Sequence, residues 1–390
     1  MAQRVSSGDE ARVGQVLDGQ FRLEELIGAG SMAHVYRARQ LGVGRDVALK
    51  LLRREHLQRG EVVARFRNEA ALTARLSHPH VVVVHAVSPN WEATSLESEP
   101  YVVLEWLSGP SLAQALRASG GHFALERALH VILGVADAVG EAHALDLVHR
   151  DLKPENVLLV QRGDDGDFVK LLDFGLAKAL DDSVDLRTRA GSVLGTPRYV
   201  SPEGAEGQPV TRAADCYALA TMLYECLAGR TPFEAESAVA LLAMQATSEP
   251  PDVRSFEPSR ALPAPIAEYI MQNLDKRAAA RAPNARAFAR ELVQRAQSAG
   301  LHALDIGLGS TLFGTQKQVG VELSVVHSES TPVQPSLPSL PPSPTARAAG
   351  RGRRSFRALG LIAACFVVGA LAAAAIASLD SNSAPSGSAP

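Results

Sequence analysis

The stretch from His149 to Leu159 reads HRDLKPENVLL and gathers an aspartate, a lysine and an asparagine, Asp151, Lys153 and Asn156. An aspartate can accept or orient a hydroxyl proton, and a lysine can neutralise charge on an anionic group. An asparagine oxygen can hold a hard cation. Transfer of a phosphoryl group needs all three, because it asks for positioning and charge rather than covalent chemistry. Asp173, in LLDFGLA from Leu171 to Ala177, adds a second carboxylate. Each residue alone has a plainer reading: a capping aspartate, a turn asparagine, and for His149 a packed core histidine. The combination at this spacing carries the phosphoryl-transfer reading.

Two earlier stretches could serve the same reaction. LIGAGSMAHV, Leu26 to Val35, places Gly28 and Gly30 between strand-like runs. Glycines let main-chain N–H groups approach phosphate oxygens, although such a loop by itself reads equally as a turn. A dinucleotide fingerprint would continue into a helix, whereas this sequence returns to strand. DVALK ends at Lys50, and a helical stretch carrying Glu69 follows. Lys50 reads either as a snorkelling surface lysine or as an ammonium held over a phosphate by Glu69.

The elements that must position these groups are legible from periodicity. FRLEELIG, AHVYRARQ and DVALKLL alternate like strands, EVVARFRNEAALTARL (Glu61–Leu76) has helical spacing, and strand-like runs return at HVVVVHAV and YVVLEW. After Gly109 the pattern is mostly helical. The fold class this implies is α+β: a small strand-rich lobe with one main helix over residues 21–108, and a larger helical lobe over 109–298. No repeat of fixed period is visible.

Composition narrows the classes. The 39 basic and 42 acidic side chains nearly cancel, so no global charge favours nucleic acid. Cys216, Cys226 and Cys365 form no CxxC pair, which fits a reducing compartment better than a disulfide framework. Residues 1–20 are polar, lack a signal-peptide core and are expected to be loose. Residues 299–357 read as a juxtamembrane linker, rich in Ser and Pro over 328–350. Ala358–Leu379 is an uncharged run of 22 residues, and roughly 20 suffice to cross a bilayer as a helix. Arg347, Arg351, Arg353, Arg354 and Arg357 precede it. This predicts a single-pass protein of the inner (cytoplasmic) membrane with its large N-terminal part in the cytoplasm and residues 380–390 as a short tail outside.

With these motifs in this order, Phe21 to Gln297 resembles the protein kinases and is most similar to the bacterial eukaryotic-like (Hanks-type) serine/threonine kinases. The resemblance implies a two-lobed kinase fold, ATP and Mg²⁺ (or Mn²⁺) as cofactors, and protein Ser/Thr hydroxyls as acceptors. Gly28 and Gly30 would cover the phosphates. Ile27, Val35, Ala48 and Leu158 would sandwich the adenine. Leu104 would be the gatekeeper, with Glu105 and Leu107 offering main-chain hydrogen bonds. Lys50 would contact phosphates and pair with Glu69. Asp151 would orient the acceptor hydroxyl, and Lys153 would neutralise the transferred group and favour Ser/Thr substrates. Asn156 and Asp173 would hold the metal.

GTPRYVSPE, Gly195 to Glu203, would end the activation segment. The resemblance pairs Glu203 with Arg281, anchors the catalytic loop from Asp215, gives His149 a structural role and sets Thr196 on Asp151 and Lys153. Arg150 would meet a phosphate on Thr188 or Ser192. Membrane tethering would favour a homodimer that phosphorylates itself in trans. Three positions depart from the pattern: Ala33 replaces a third glycine, Ser201 an alanine and Ala220 a glycine. The alternatives are a catalytically silent ATP-binding scaffold, which intact Lys50, Glu69, Asp151, Asn156 and Asp173 oppose, and a small-molecule phosphotransferase, which LKPEN and GTPRYVSPE oppose.

Overall fold

The computed structural model describes residues 12–89, 91, 99–173 and 197–302. The first lobe is an antiparallel sheet of six strands. They are β1 (Val16–Leu17), β2 (Phe21–Ala29), β3 (Ala33–Gln40), β4 (Arg45–Leu52), β5 (Val84–Val87) and β6 (Tyr101–Glu105), in spatial order β1-β2-β3-β4-β6-β5. Period-two alternation decides what each face meets. On β4, Val47, Leu49 and Leu51 are buried with Phe21, Leu23, Tyr36, Ala38, Tyr101 and Val103. Ala48, Lys50 and Leu52 therefore point to the opposite face. There Leu52 packs with Ala33, Val102 and the helix α1 (Gly60–Thr73) through Phe66 and Ala70. Leu49 is fully buried, and truncating it to Ala would cost about 2–5 kcal/mol.

Helix α1 buries Phe66, Ala70 and Thr73, spaced four and three apart, so one stripe faces the sheet and Glu69 lies beside it. Ala33 belongs to the same apolar cluster. Its methyl group faces a core, which accounts for alanine where a glycine was expected.

The second lobe is helical: α2 (Leu112–Ala118), α3 (Leu125–Ala144), the single turn α4 (Pro202–Ala205), α5 (Arg212–Ala228), α6 (Ala238–Thr247), α7 (Ala264–Asn273) and α8 (Ala285–Ser298). Helix α3 is apolar almost all round, as a central helix must be, and packs against α5 and α8. Ser111 begins α2 with a reciprocal capping box to Gln114, and Thr211 caps α5. Gly229 ends α5 at φ 74°, a left-handed conformation open to glycine. Ala220 is fully buried on α5.

A hairpin, β7 (Val157–Arg162) and β8 (Asp165–Leu171), sits beside α3. Gly109, just after β6, lies so close to this hairpin that a Cβ would fall 2.0 Å from the Leu159 carbonyl oxygen. Only glycine fits there.

Two expectations need correction. HVVVVHAV is not one strand: only Val84–Val87 joins the sheet, whereas Val81 bridges to Leu171 and the Val82 N–H donates to the Leu171 carbonyl. Residues 12–20, read as loose, are ordered. The Gly14 N–H donates to the Leu23 carbonyl at 2.7 Å and β1 pairs with β2. Arg12 reaches buried Glu99 at 2.5 Å, and Tyr101 donates to Asp18 at 2.6 Å. A polar segment orders when its main chain completes a sheet edge and its charges find buried partners. Residues 1–11, the linker beyond 302, Ala358–Leu379 and the tail lie outside the described residues. Among the described residues no helix is long and apolar enough to cross a membrane.

Candidate active site

Strand β4 and helix α1 bring Lys50 and Glu69 together, with Nζ 2.8 Å from the Glu69 Oε1. The same ammonium lies 2.7 Å from the Asp173 Oδ1. Burial works against the Lys50 charge, but the two carboxylates outweigh it and hold the pKa well above the usual lysine value. Burial pushes the Glu69 carboxyl up while Lys50 pulls it back. Leu104 lines the same pocket with Phe66 and Val102.

The second group sits on the loop between α3 and β7. Lys153 donates to the Asp151 carboxylate at 2.6 Å. The Asn156 Nδ2 donates to the Asp151 carbonyl at 3.0 Å, which leaves the amide oxygen as the free end. The two groups are stitched together where the Leu172 N–H donates to the Asn156 carbonyl at 2.8 Å, one residue before Asp173.

The loop itself is fixed from below. Asp215, buried near the start of α5, accepts the N–H groups of His149 (2.7 Å) and Arg150 (3.0 Å). His143 of α3 adds its Nε2 at 2.9 Å. The Ala285 N–H donates to the His143 Nδ1, so Nε2 must be the protonated nitrogen. His149 is fully buried, and its Nδ1 accepts the Asp151 N–H. Arg281 pairs in bidentate fashion with Glu203 at 2.9 and 3.0 Å and its side chain is entirely buried. Ser201 caps α4 by accepting the Gly204 N–H, a bond that alanine could not make.

Val35 stands opposite both Gly28 and Lys50 in the strand register, and Ala48 opposite Leu104. These residues therefore share the face that carries Lys50. Ile27 is exposed, and Leu158 and Leu107 are half-buried. Glu105 does more than hold a main chain. Its carboxylate accepts from the Val83 N–H at 2.8 Å and from Lys170 of β8 at 2.6 Å, joining the end of the sheet to the hairpin. Gly28 has ordinary φ and, among the described residues, only Val35 Cβ lies within 4 Å of a built Cβ, so packing by these residues does not demand glycine and leaves room for a ligand. Thr188, Ser192 and Thr196 lie outside the described residues.

Asp173 and the Asn156 amide oxygen are hard donors on segments joined by the Leu172–Asn156 main-chain bond, and magnesium takes one or two carboxylates beside phosphate and water. Among the described residues no cluster of three or more His, Cys, Asp or Glu could hold a metal. The donor set fits a metal shared with a phosphate, not a protein cage.

Sequence reasoning missed His143, Lys170 and Tyr199, whose hydroxyl donates to half-buried Glu225 at 2.6 Å. Burial pushes the Glu225 carboxyl up. A single histidine on an apolar helix carries no sequence mark of its partner. Glu105 and Lys170 are 65 residues apart.

The protein kinase domain profile matches residues 21–297. The serine/threonine-protein kinase pkn3 of Myxococcus xanthus is 37% identical over 284 residues, covering 72% of this chain. PrkC of Bacillus subtilis, also a serine/threonine-protein kinase, is 34% identical over 260 residues, 67% of this chain. The chain spans 50% and 38% of the lengths of these two relatives. A crystal structure of the kinase domain of Mycobacterium tuberculosis PknI superposes with a TM-score of 0.54 and 25% identity, covering 73% of this chain and 98% of that one. The two-lobed architecture, the site geometry and a family match across most of the chain agree: this chain belongs to the protein kinase domain family.

Proposed function

We propose that the chain is a serine/threonine protein kinase that transfers the γ-phosphoryl group of ATP to protein Ser/Thr hydroxyls. The observation that carries this is Lys50, held by Glu69 and Asp173 at once, with Asp151, Lys153 and Asn156 on the adjoining loop. Lys50 would bind the α- and β-phosphates through its ammonium. Asp151 would orient the acceptor hydroxyl and take up its proton, and Lys153 would offset charge on the group in transfer. Asp173 and Asn156 would hold magnesium, which when bound neutralises phosphate charge. Ile27, Val35, Ala48, Leu104 and Leu158 would line the adenine site, with Glu105 and Leu107 offering main-chain groups.

The test is ATP with Mg²⁺, the full chain and a generic basic protein, read by mass spectrometry of Ser and Thr. Phosphate transfer by wild type and none by Asp151→Asn is expected. ATP binding without transfer under any condition would favour the silent scaffold.

We also infer self-phosphorylation at Thr188 or Ser192 between tethered copies, and attachment to the cytoplasmic membrane through Ala358–Leu379. The uncharged run and the arginines before it support the attachment. Recovery of the chain in the membrane fraction, with loss on deleting 358–379, is expected. Release of the kinase region by protease added outside intact cells would overturn the orientation.

A further inference from the structure

The segment joining β4 to α1 contains no residue that the kinase motifs mark, yet it grips the glycine-containing loop at three successive carbonyls. The Arg53 N–H donates to the Met32 carbonyl at 3.0 Å. The Arg53 Nη1 donates to the Gly30 carbonyl at 3.3 Å. The His56 Nε2 lies 2.9 Å from the Ser31 carbonyl oxygen. A carbonyl only accepts, so Nε2 carries the proton and Nδ1 the lone pair. That Nδ1 is buried and, among the described residues, has no hydrogen-bond partner. A buried unpaired nitrogen costs stability, so the ring is badly placed as a structural filler.

Peptide groups are planar and trans, and the described chain has no cis bond. Within each group the N–H therefore points opposite to the C=O. Holding the Gly30 and Ser31 carbonyls toward Arg53 and His56 turns the N–H groups of Ser31 and Met32 the other way. The Gly30 N–H is already spent on the Ala33 carbonyl at 2.9 Å. Successive N–H groups aimed to one side form an anion-binding concavity.

We propose that Arg53 and His56 are positioning residues for the nucleotide phosphates, acting through the main-chain N–H groups of Ser31 and Met32. The proposal rests on the kinase reading above and adds two residues to it. Neither touches the nucleotide. Both set the direction of the groups that do.

The test measures equilibrium binding of ATP with Mg²⁺, and separately of adenosine, to the full chain and to His56→Leu, His56→Gln and Arg53→Met. Losing one such bond should weaken ATP binding roughly two- to tenfold, while adenosine binding stays within about twofold of wild type because it lacks phosphates. His56→Gln should recover most of the loss, since its amide N–H can reach the same carbonyl. Thermal unfolding of each variant separates this from loss of fold, and if His56→Leu does not fold, Arg53→Met and His56→Gln decide. Unchanged ATP affinity in Arg53→Met and His56→Leu, or parallel weakening of ATP and adenosine, would overturn the clamp and leave the kinase reading standing. A wild-type chain that binds neither ATP nor adenosine would overturn both.

Discussion

Arg150 is held at φ 66° while its main-chain N–H donates to the Asp215 carboxylate 3.0 Å away. A non-glycine residue in this region is strained by about 1–3 kcal/mol and persists only where its surroundings over-determine it. Asp215 supplies that constraint, because its two oxygens also take the His149 N–H and the His143 Nε2. Asp215→Ala should strand three buried donors and cost about 3–5 kcal/mol. Asp215→Asn should also be costly, since its NH₂ must face at least one N–H. Thermal unfolding reads the stability, and phosphoryl transfer should fall with the loop geometry. A variant with wild-type melting temperature would refute the anchoring role.

Arg281 and Glu203 make a second tie, between the start of the single turn α4 and the segment after α7. The Arg281 guanidinium also donates to the carbonyls of Asp275 and Lys276, at 2.7 and 3.0 Å. Removing one partner from a buried pair leaves an uncompensated charge, so Arg281→Met should cost about 3–5 kcal/mol. Arg281→Lys should not rescue it, because a lysine cannot reproduce the bidentate fork. Denaturant midpoints for the two variants check this, and recovery by lysine would sink the geometric argument.

The chemistry-bearing residues were legible because each stands in a short motif whose spacing is fixed by the reaction. The pairing of Lys50 with Glu69 was left open by spacing alone, and only the resemblance implied it, because periodicity says which face each residue takes and not that the two faces meet. Partners across long separations were not. Period-two alternation says which face a residue takes, not which neighbour meets it, so HVVVVHAV gave no sign that Val81 and Val82 leave the sheet to run beside Leu171. The Glu105–Lys170 pair and the His143 contact with Asp215 have the same character. Composition also misled at residues 12–20, where polarity hid a sheet edge.

The shared ammonium makes a sharp prediction about Glu69. With Glu69→Gln, Lys50 keeps Asp173 but loses the carboxylate that draws it toward α1. kcat/KM should fall about tenfold or more, the scale of one charge-assisted hydrogen bond. Lys50→Met should abolish transfer altogether and also lower the melting temperature, since it leaves Glu69, only 12% exposed, without its cation. Steady-state kinetics on generic substrate would settle the first, and undiminished turnover in Glu69→Gln would show that α1 plays no part in placing Lys50.

His80 links the lobes through a ring that prefers to stay neutral. It stacks on Phe168 of β8 with centroids 4.3 Å apart, and its Nδ1 lies 2.8 Å from the Val169 carbonyl, so Nδ1 carries the proton. Burial lowers its pKa below the usual 6.5. The Val169 carbonyl and Asp137 of α3 oppose that shift, and His78 and His130 reinforce it. Arg162 of β7 adds a further positive charge over the Phe168 ring at 4.4 Å. The sign follows from the depressed pKa: the unfolded chain takes up the proton first, so the stability His80 contributes is present above pH 6.5 and is lost as pH falls below it through the folded-state value. Melting temperature should therefore drop on acidification through this range, and less steeply in His80→Asn, which cannot titrate. Activity should drop with it, because the His80 carbonyl accepts the Leu171 N–H at 2.7 Å, two residues from Asp173. Equal pH slopes in wild type and His80→Asn would remove His80 from the account and leave the carboxylates as the source of any acid lability.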